Sequence, residues 1–82
     1  MLEGLRQANA RAVGVKHVLR AVQAGQAKEV FVASDADLFL IKRVLDACYD
    51  GNVPCLQNTT ARELGAACGI EVEAAAAAIL RG

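Results

Sequence analysis

Val15, Val18, Leu19 and Val22 fall at i, i+3, i+4 and i+7, the apolar face of a short helix that begins after Gly14 and runs to about Gln23. Gly25 stands where such a helix stops. Upstream, Leu2 and Leu5 mark the inner side of a first helix over about Leu2–Asn9, and Arg11–Val13 reads as a short extended segment. Glu29-Val-Phe-Val-Ala-Ser34 is a continuous apolar, β-branched run, the pattern of a buried central strand. Leu38, Ile41, Leu45 and Cys48 then give the inner face of a helix over about Asp37–Asp50, with N-cap candidates among Ser34, Asp35 and Asp37. Asp50-Gly51-Asn52 reads as a turn, and Val53–Gln57 as a second strand with its proline near the start. Thr60-Ala-Arg-Glu63 is a capping box that opens another helix, ending at Gly69.

The last segment sets propensity against alternation. Ala74–Ala78 is a run of helix-favouring residues. The regular exchange of strand and helix before it asks instead for a final strand, buried on both faces, where small side chains fit. An isolated helix this short is marginal, so the expectation is a strand. The resulting fold class is α/β: a three-layer α/β/α sandwich around a small mixed sheet of about four strands. The 82 residues are read as one domain, with no linker and no internal repeat.

The formal charge is zero, but it is unevenly spread. Residues 1–28 carry Arg6, Arg11, Lys16, Arg20 and Lys28 against Glu3 alone. The remainder carries eight acids against Lys42, Arg43, Arg62 and Arg81. A polyanion is therefore expected to dock locally on the N-terminal part rather than coat the surface. No apolar run reaches the ~20 residues of a membrane span. The start, Met1-Leu-Glu-Gly-Leu-Arg, lacks the order of an export signal, and Cys48, Cys55 and Cys68 are odd in number without CxxC spacing. The expectation is a cytoplasmic protein with reduced thiols, no metal site and no cofactor.

The apolar face of the Val15–Gln23 helix leaves Lys16, Arg20 and Gln23 on the opposite side, with His17 at its flank. Two cations beside a helix N-terminus suit an anion, phosphate above all. Other chemistry is thinly supplied. Asp35 and Asp37 sit where aspartate caps helices and have no nucleophile beside them. Gly65 and Gly69 lie in neither a GxxxxGK nor a GxGxxG pattern, and Phe31, Phe39 and Tyr49 are too few for a base-stacking platform. The chain is read as non-enzymatic.

Gly14-Val15-Lys16-His17-Val-Leu-Arg20, Ala24-Gly25, Lys28-Glu-Val-Phe-Val-Ala-Ser-Asp35-Ala-Asp37, Asn52-Val-Pro54 and Glu63-Leu-Gly65-Ala-Ala-Cys-Gly69-Ile-Glu-Val72 follow one another in an order and spacing that resembles the kink-turn RNA-binding ribosomal-protein family, with its short bacterial homologues. The resemblance covers about Leu2 to Leu80 and implies an α/β/α sandwich. It further implies recognition of a sharply bent RNA duplex whose bend holds tandem sheared G·A pairs. By that resemblance Gly14 and Val15 position the helix backbone, and Lys16 and Arg20 face guanine edges, whose O6 and N7 atoms accept hydrogen bonds. His17 stands where the archaeal pattern has Glu. Asn58, Thr59 and Thr60 form a second contact, in the loop after the strand, where family members commonly place an apolar residue over an extruded base. The implied partner is a kink-turn in a ribosomal or regulatory RNA, or the ribosome itself, bound by a monomer away from any membrane. One competing reading is a protein–protein adaptor or ribosome-assembly factor on the same fold, its RNA site decayed, with Asn58 and His17 as its support; the other is a small α/β enzyme or a ligand domain detached from an RNA-modifying enzyme, which lacks a visible catalytic constellation.

Overall fold

The computed structural model describes Gly4 and residues 10–81. The expected first helix lies, apart from Gly4, outside the described residues. The described elements are β1 (Arg11–Val13), α1 (Val15–Gln23), β2 (Ala27–Ala33), α2 (Leu38–Gly51), β3 (Cys55–Thr59), α3 (Ala61–Ala67) and β4 (Ala76–Leu80).

The four strands form one mixed sheet in the order β1-β4-β2-β3. β4 is antiparallel to both β1 and β2, whereas β2 and β3 are parallel. Ala76–Ala78 of the alanine run thus open a central strand, with Ala74 and Ala75 leading into it. Ala76, Ala77 and Ala78 are completely buried, and their small side chains let helices close down on both faces. Alternation divides the core in two. Val30, Val32, Ala76 and Ala78 meet Val18 and Val22 of α1 and Ile41, Val44 and Cys48 of α2. Phe31, Ala33 and Ala77 meet Ala61, Leu64 and Ala67 of α3. These are the two helical layers of an α/β/α sandwich.

Two details differ from the sequence reading. Leu38 is exposed rather than inward, and Val44 takes the core position. As the first residue of α2, Leu38 has no strand beneath it, so the helical stripe begins at Ile41. α2 also runs through Gly51 and ends on Asn52, whose backbone is left-handed (φ 57°). Caps fall where aspartate and threonine suggested. The Asp37 carboxylate accepts from the Phe39 amide at 2.8 Å, and the Thr60 hydroxyl accepts from the Glu63 amide at 3.2 Å while Glu63 reaches back to the Thr60 amide at 2.9 Å. Asp35 accepts from the Ala61 amide at 2.8 Å, tying the β2–α2 connection to the start of α3.

Candidate nucleic-acid interface

The strand directions bring the C-terminal ends of β1, β2 and β3 to one end of the sheet. All three described helices start there. Gly14 makes the first turn, with φ 97°, a conformation that L side chains rarely adopt. Its amide donates to the Ala76 carbonyl at 2.8 Å, pinning the corner to the central strand. Among the described residues no side chain caps α1, and its first turn holds no acid. Lys16 occupies that turn instead, against the helix dipole. A cation there costs helix stability, and the uncapped amides beside it are left for solvent or a ligand.

Lys16, His17 and Arg20 are all exposed, whereas Val18 and Val22 are buried and Val15 and Leu19 partly so. Lys16 and Arg20 line a shallow groove between α1 and α2 together with Leu40 and Arg43 of α2. Arg20 also borders a second depression, shared with Arg11, His17 and Leu80. Arg20 thus shares one cationic groove with Lys16 and Arg43, whereas the Arg11 guanidinium reaches the other face of the sheet, beside Gly69 and Cys68. Arg43 was not singled out from the sequence. The Ile41–Val44–Cys48 stripe directs it away from the sheet, but that it faces α1 follows only from the packing of the two helices.

His17 turns back on its own turn, its Nδ1 lying 3.0 Å from the Val13 carbonyl oxygen. A carbonyl only accepts, so Nδ1 carries the hydrogen.

The second set of residues lies elsewhere. The sequence reading put Asn58, Thr59 and Thr60 in a loop, but β3 continues through Thr59, which pairs with Ala33 beyond a register shift. Parallel pairing with β2 extends the strand past the point where its apolar pattern ends. β3 is an edge strand, which leaves Gln57 and Asn58 exposed. Thr59 points inward at 8 % exposure, and among the described residues its hydroxyl has no hydrogen-bond partner. Thr60 is committed to its capping box. β1 and β3 are opposite edges, so this corner sits three strand spacings, roughly 14 Å, from Gly14 at the same end of the sheet.

The connection from α3 to β4 lies against α3. Val72 in it is 70 % exposed, and its backbone rests on Gly65, where a Cβ would meet the Val72 carbonyl carbon at 3.1 Å. Among the described residues no group of three His, Cys, Asp or Glu side chains is placed to hold a metal, and no helix is long and apolar enough to cross a membrane.

Residues 2–82 match the ribosomal protein L7Ae/L30e/S12e/Gadd45 family over almost the whole chain. The chain belongs to that family. It is 46 % identical over 79 residues to an RNA-binding protein of Geobacillus thermodenitrificans, with 96 % of each chain covered. The RNA-binding protein YbxF of Geobacillus stearothermophilus matches to the same extent. Among solved structures, the Giardia lamblia 15.5kD RNA binding protein superposes with a TM-score of 0.87 at 28 % identity, covering 99 % of this chain and 68 % of that one. A protein of unknown function from Bacillus halodurans C gives 0.85 at 28 % identity, covering 99 % and 81 %.

Proposed function

We propose that this chain binds structured RNA containing a kink-turn and stabilises its bent form, contacting that state and not the straight duplex. The reading rests on one observation: α1 begins at a positive-φ glycine with no side-chain cap among the described residues, and Lys16 and Arg20 line a groove beside it with Arg43. Family membership and relatives named as RNA-binding proteins support it. The start of α1 enters the groove at the tandem sheared G·A pairs. Gly14 and Val15 set the backbone, Lys16 and Arg20 donate to guanine O6 and N7, and Arg43 neutralises phosphate beside them. The Asn58–Thr60 corner is the second contact, with Asn58 supplying the exposed side chain. The RNA is ribosomal or a structured regulatory RNA, bound in the cytoplasm by a monomer that performs no catalysis.

The test is a titration of fluorescent kink-turn RNA beside a control whose G·A pairs are replaced by Watson–Crick pairs, at one fixed salt concentration. Tight binding to the first and weak binding to the second is expected. A specific observation favours a second reading, a protein-binding adaptor: Leu38 and Phe39 stand exposed on the first turn of α2. Equal, weak binding to both RNAs would bring that reading forward.

A further inference from the structure

Cys48 and Cys55 lie at the end of the sheet opposite Gly14, where α2 finishes and β3 begins. Both stand on the α1–α2 side. Cys48 belongs to the core with Ile41 and Val44, and Cys55 packs against that core beside Val30, its partner in β2. A side-chain hydrogen bond joins the two thiols. Cys68 is buried in the other layer, with Leu64 and Ala67. The RNA reading uses none of the three.

The pair is not symmetric. Burial, then the charge on Cys48 and the hydrogen bond to it, push the Cys55 thiol up to about 12, so Cys55 keeps its proton and donates it. Burial pushes Cys48 up as well, but there the hydrogen bond from Cys55 works the other way and favours the thiolate. Cys48 is therefore the sulfur that ionises first, and the thiolate is the nucleophile. Cys48 also lies nearer to solvent access. It lines a surface depression with Tyr49, Asn52, Val53 and Pro54, and it sits in the last turn of α2. That turn contains Asp50 and Gly51 and no basic residue. The acid opposes the negative end of the helix dipole, and glycine is a poor helix former, so this turn is a weak one.

We infer that Cys48 and Cys55 form a two-thiol site that a hydroperoxide converts to an intramolecular disulfide, Cys48 attacking and Cys55 resolving. The inference is independent of the RNA reading. Opening of the last turn of α2, a low-cost local event, brings Cys48 to the depression while pairing with β2 keeps Cys55 in place. With hydrogen peroxide, the Cys48 thiolate attacks one peroxide oxygen and the O–O bond breaks. Cys48 becomes a sulfenic acid, and the departing hydroxide takes up the proton that Cys48 had released, giving water. The Cys55 sulfur then attacks the Cys48 sulfur. The S–O bond breaks, and the hydroxyl leaves with the Cys55 proton as a second water. Two thiols and one peroxide thus give one disulfide and two waters; the sulfurs together lose two electrons and the peroxide gains them. Cys68, in the other layer, has no such neighbour to resolve it.

The experiment treats the reduced, folded full chain with hydrogen peroxide, then unfolds it, alkylates the remaining thiols with iodoacetamide and maps them by mass spectrometry. The expected product has one alkylated cysteine, Cys68, and a pair of peptides linked through Cys48 and Cys55. Cys55→Ala should stop at the Cys48 sulfenic acid, captured by dimedone. Cys48→Ala should react about tenfold more slowly, because the sulfur that ionises first is gone. Where either variant fails to fold, the wild-type map decides by itself. The disulfide should also raise the midpoint of thermal unfolding, and dithiothreitol should reverse the rise. A link that includes Cys68, or oxidation of Cys68 ahead of the pair, overturns the assignment. So does a pair that stays reduced in the folded chain and reacts only in urea, which would mean that both thiols are sealed in the core. A midpoint lowered by the disulfide overturns it too, since the two sulfurs would then have been forced together.

Discussion

The carbonyl of Val72 lies against the Cα of Gly65, so closely that a Cβ on Gly65 would run into the carbonyl oxygen. Gly65 is in the body of α3, where glycine costs helix stability. The missing side chain lets the α3–β4 connection lie flat on the helix, and the Ala74 amide then reaches the Ala61 carbonyl at 3.0 Å. Backbone, not a flexible side chain, occupies the space. Gly65→Ala should therefore destabilise the fold by about 1–3 kcal/mol, the range for overpacking a filled site. Urea unfolding at constant m-value measures it, and an unchanged midpoint would mean that the connection yields freely.

The central strand makes a related case. Ala77 is completely buried and faces the α3 side with Phe31, Ala33 and Leu64. Ala77→Leu adds volume to that layer and should cost about 1–3 kcal/mol, although leucine has good propensities and is no less apolar. Thermal unfolding that finds this variant as stable as the wild type would show the layer to be loosely packed.

Ala74–Ala78 also marks what the sequence could convey. Its composition favours helix, and only the strand–helix alternation around it indicated a buried strand. Helix boundaries were legible where a residue type has a single local use, as with Thr60–Glu63 and Asp37. The end of β3 was not, because pairing with β2 holds Asn58 and Thr59 extended and nothing local does. In the candidate site, Lys16 and Arg20 were legible from the helical period. The tautomer of His17 depends on where the Val13 carbonyl falls in space, and Arg43 joins the surface through packing of α2 on α1. Neither leaves a mark in spacing or composition.

Thr59 allows a test of that corner. Its buried hydroxyl has no partner among the described residues, so it bears a desolvation cost without a hydrogen bond in return. Thr59→Val keeps the shape and removes the hydroxyl, and should leave stability unchanged or raise it by about 1 kcal/mol. RNA affinity should not move, since the side chain faces inward. A clear fall in affinity in the titration would show instead that the hydroxyl turns outward in the complex.

The capping box carries a pH signature. The Thr60 amide, and then its hydroxyl, bond the Glu63 carboxylate and hold its pKa below the ordinary glutamate value. With the folded value the lower of the two, ionised Glu63 favours folding. That contribution is complete above the ordinary glutamate range and disappears as pH falls through the depressed value. Below about pH 4.3 the wild type should lose stability with a steeper slope than Glu63→Gln. Thr60→Ala should cost about 1 kcal/mol near neutral pH through the lost cap. Parallel stability–pH curves for wild type and Glu63→Gln would refute the pKa assignment.

Lys16 and Arg43 share one groove, yet the proposed roles predict different losses. Lys16 faces a base edge, so Lys16→Ala should weaken kink-turn binding by about 1–3 kcal/mol and narrow the preference over the Watson–Crick control. Arg43 faces phosphate. Arg43→Ala should weaken binding to both RNAs alike and lower the slope of log affinity against log salt by about one unit. Titrations of both RNAs across a salt series separate the two. The wild-type slope itself should be shallow, because only about three to five cations can reach phosphates, each adding roughly one unit. A much steeper slope, or Lys16→Ala weakening both RNAs equally, would mean that α1 meets the RNA as a charged surface and reads no base.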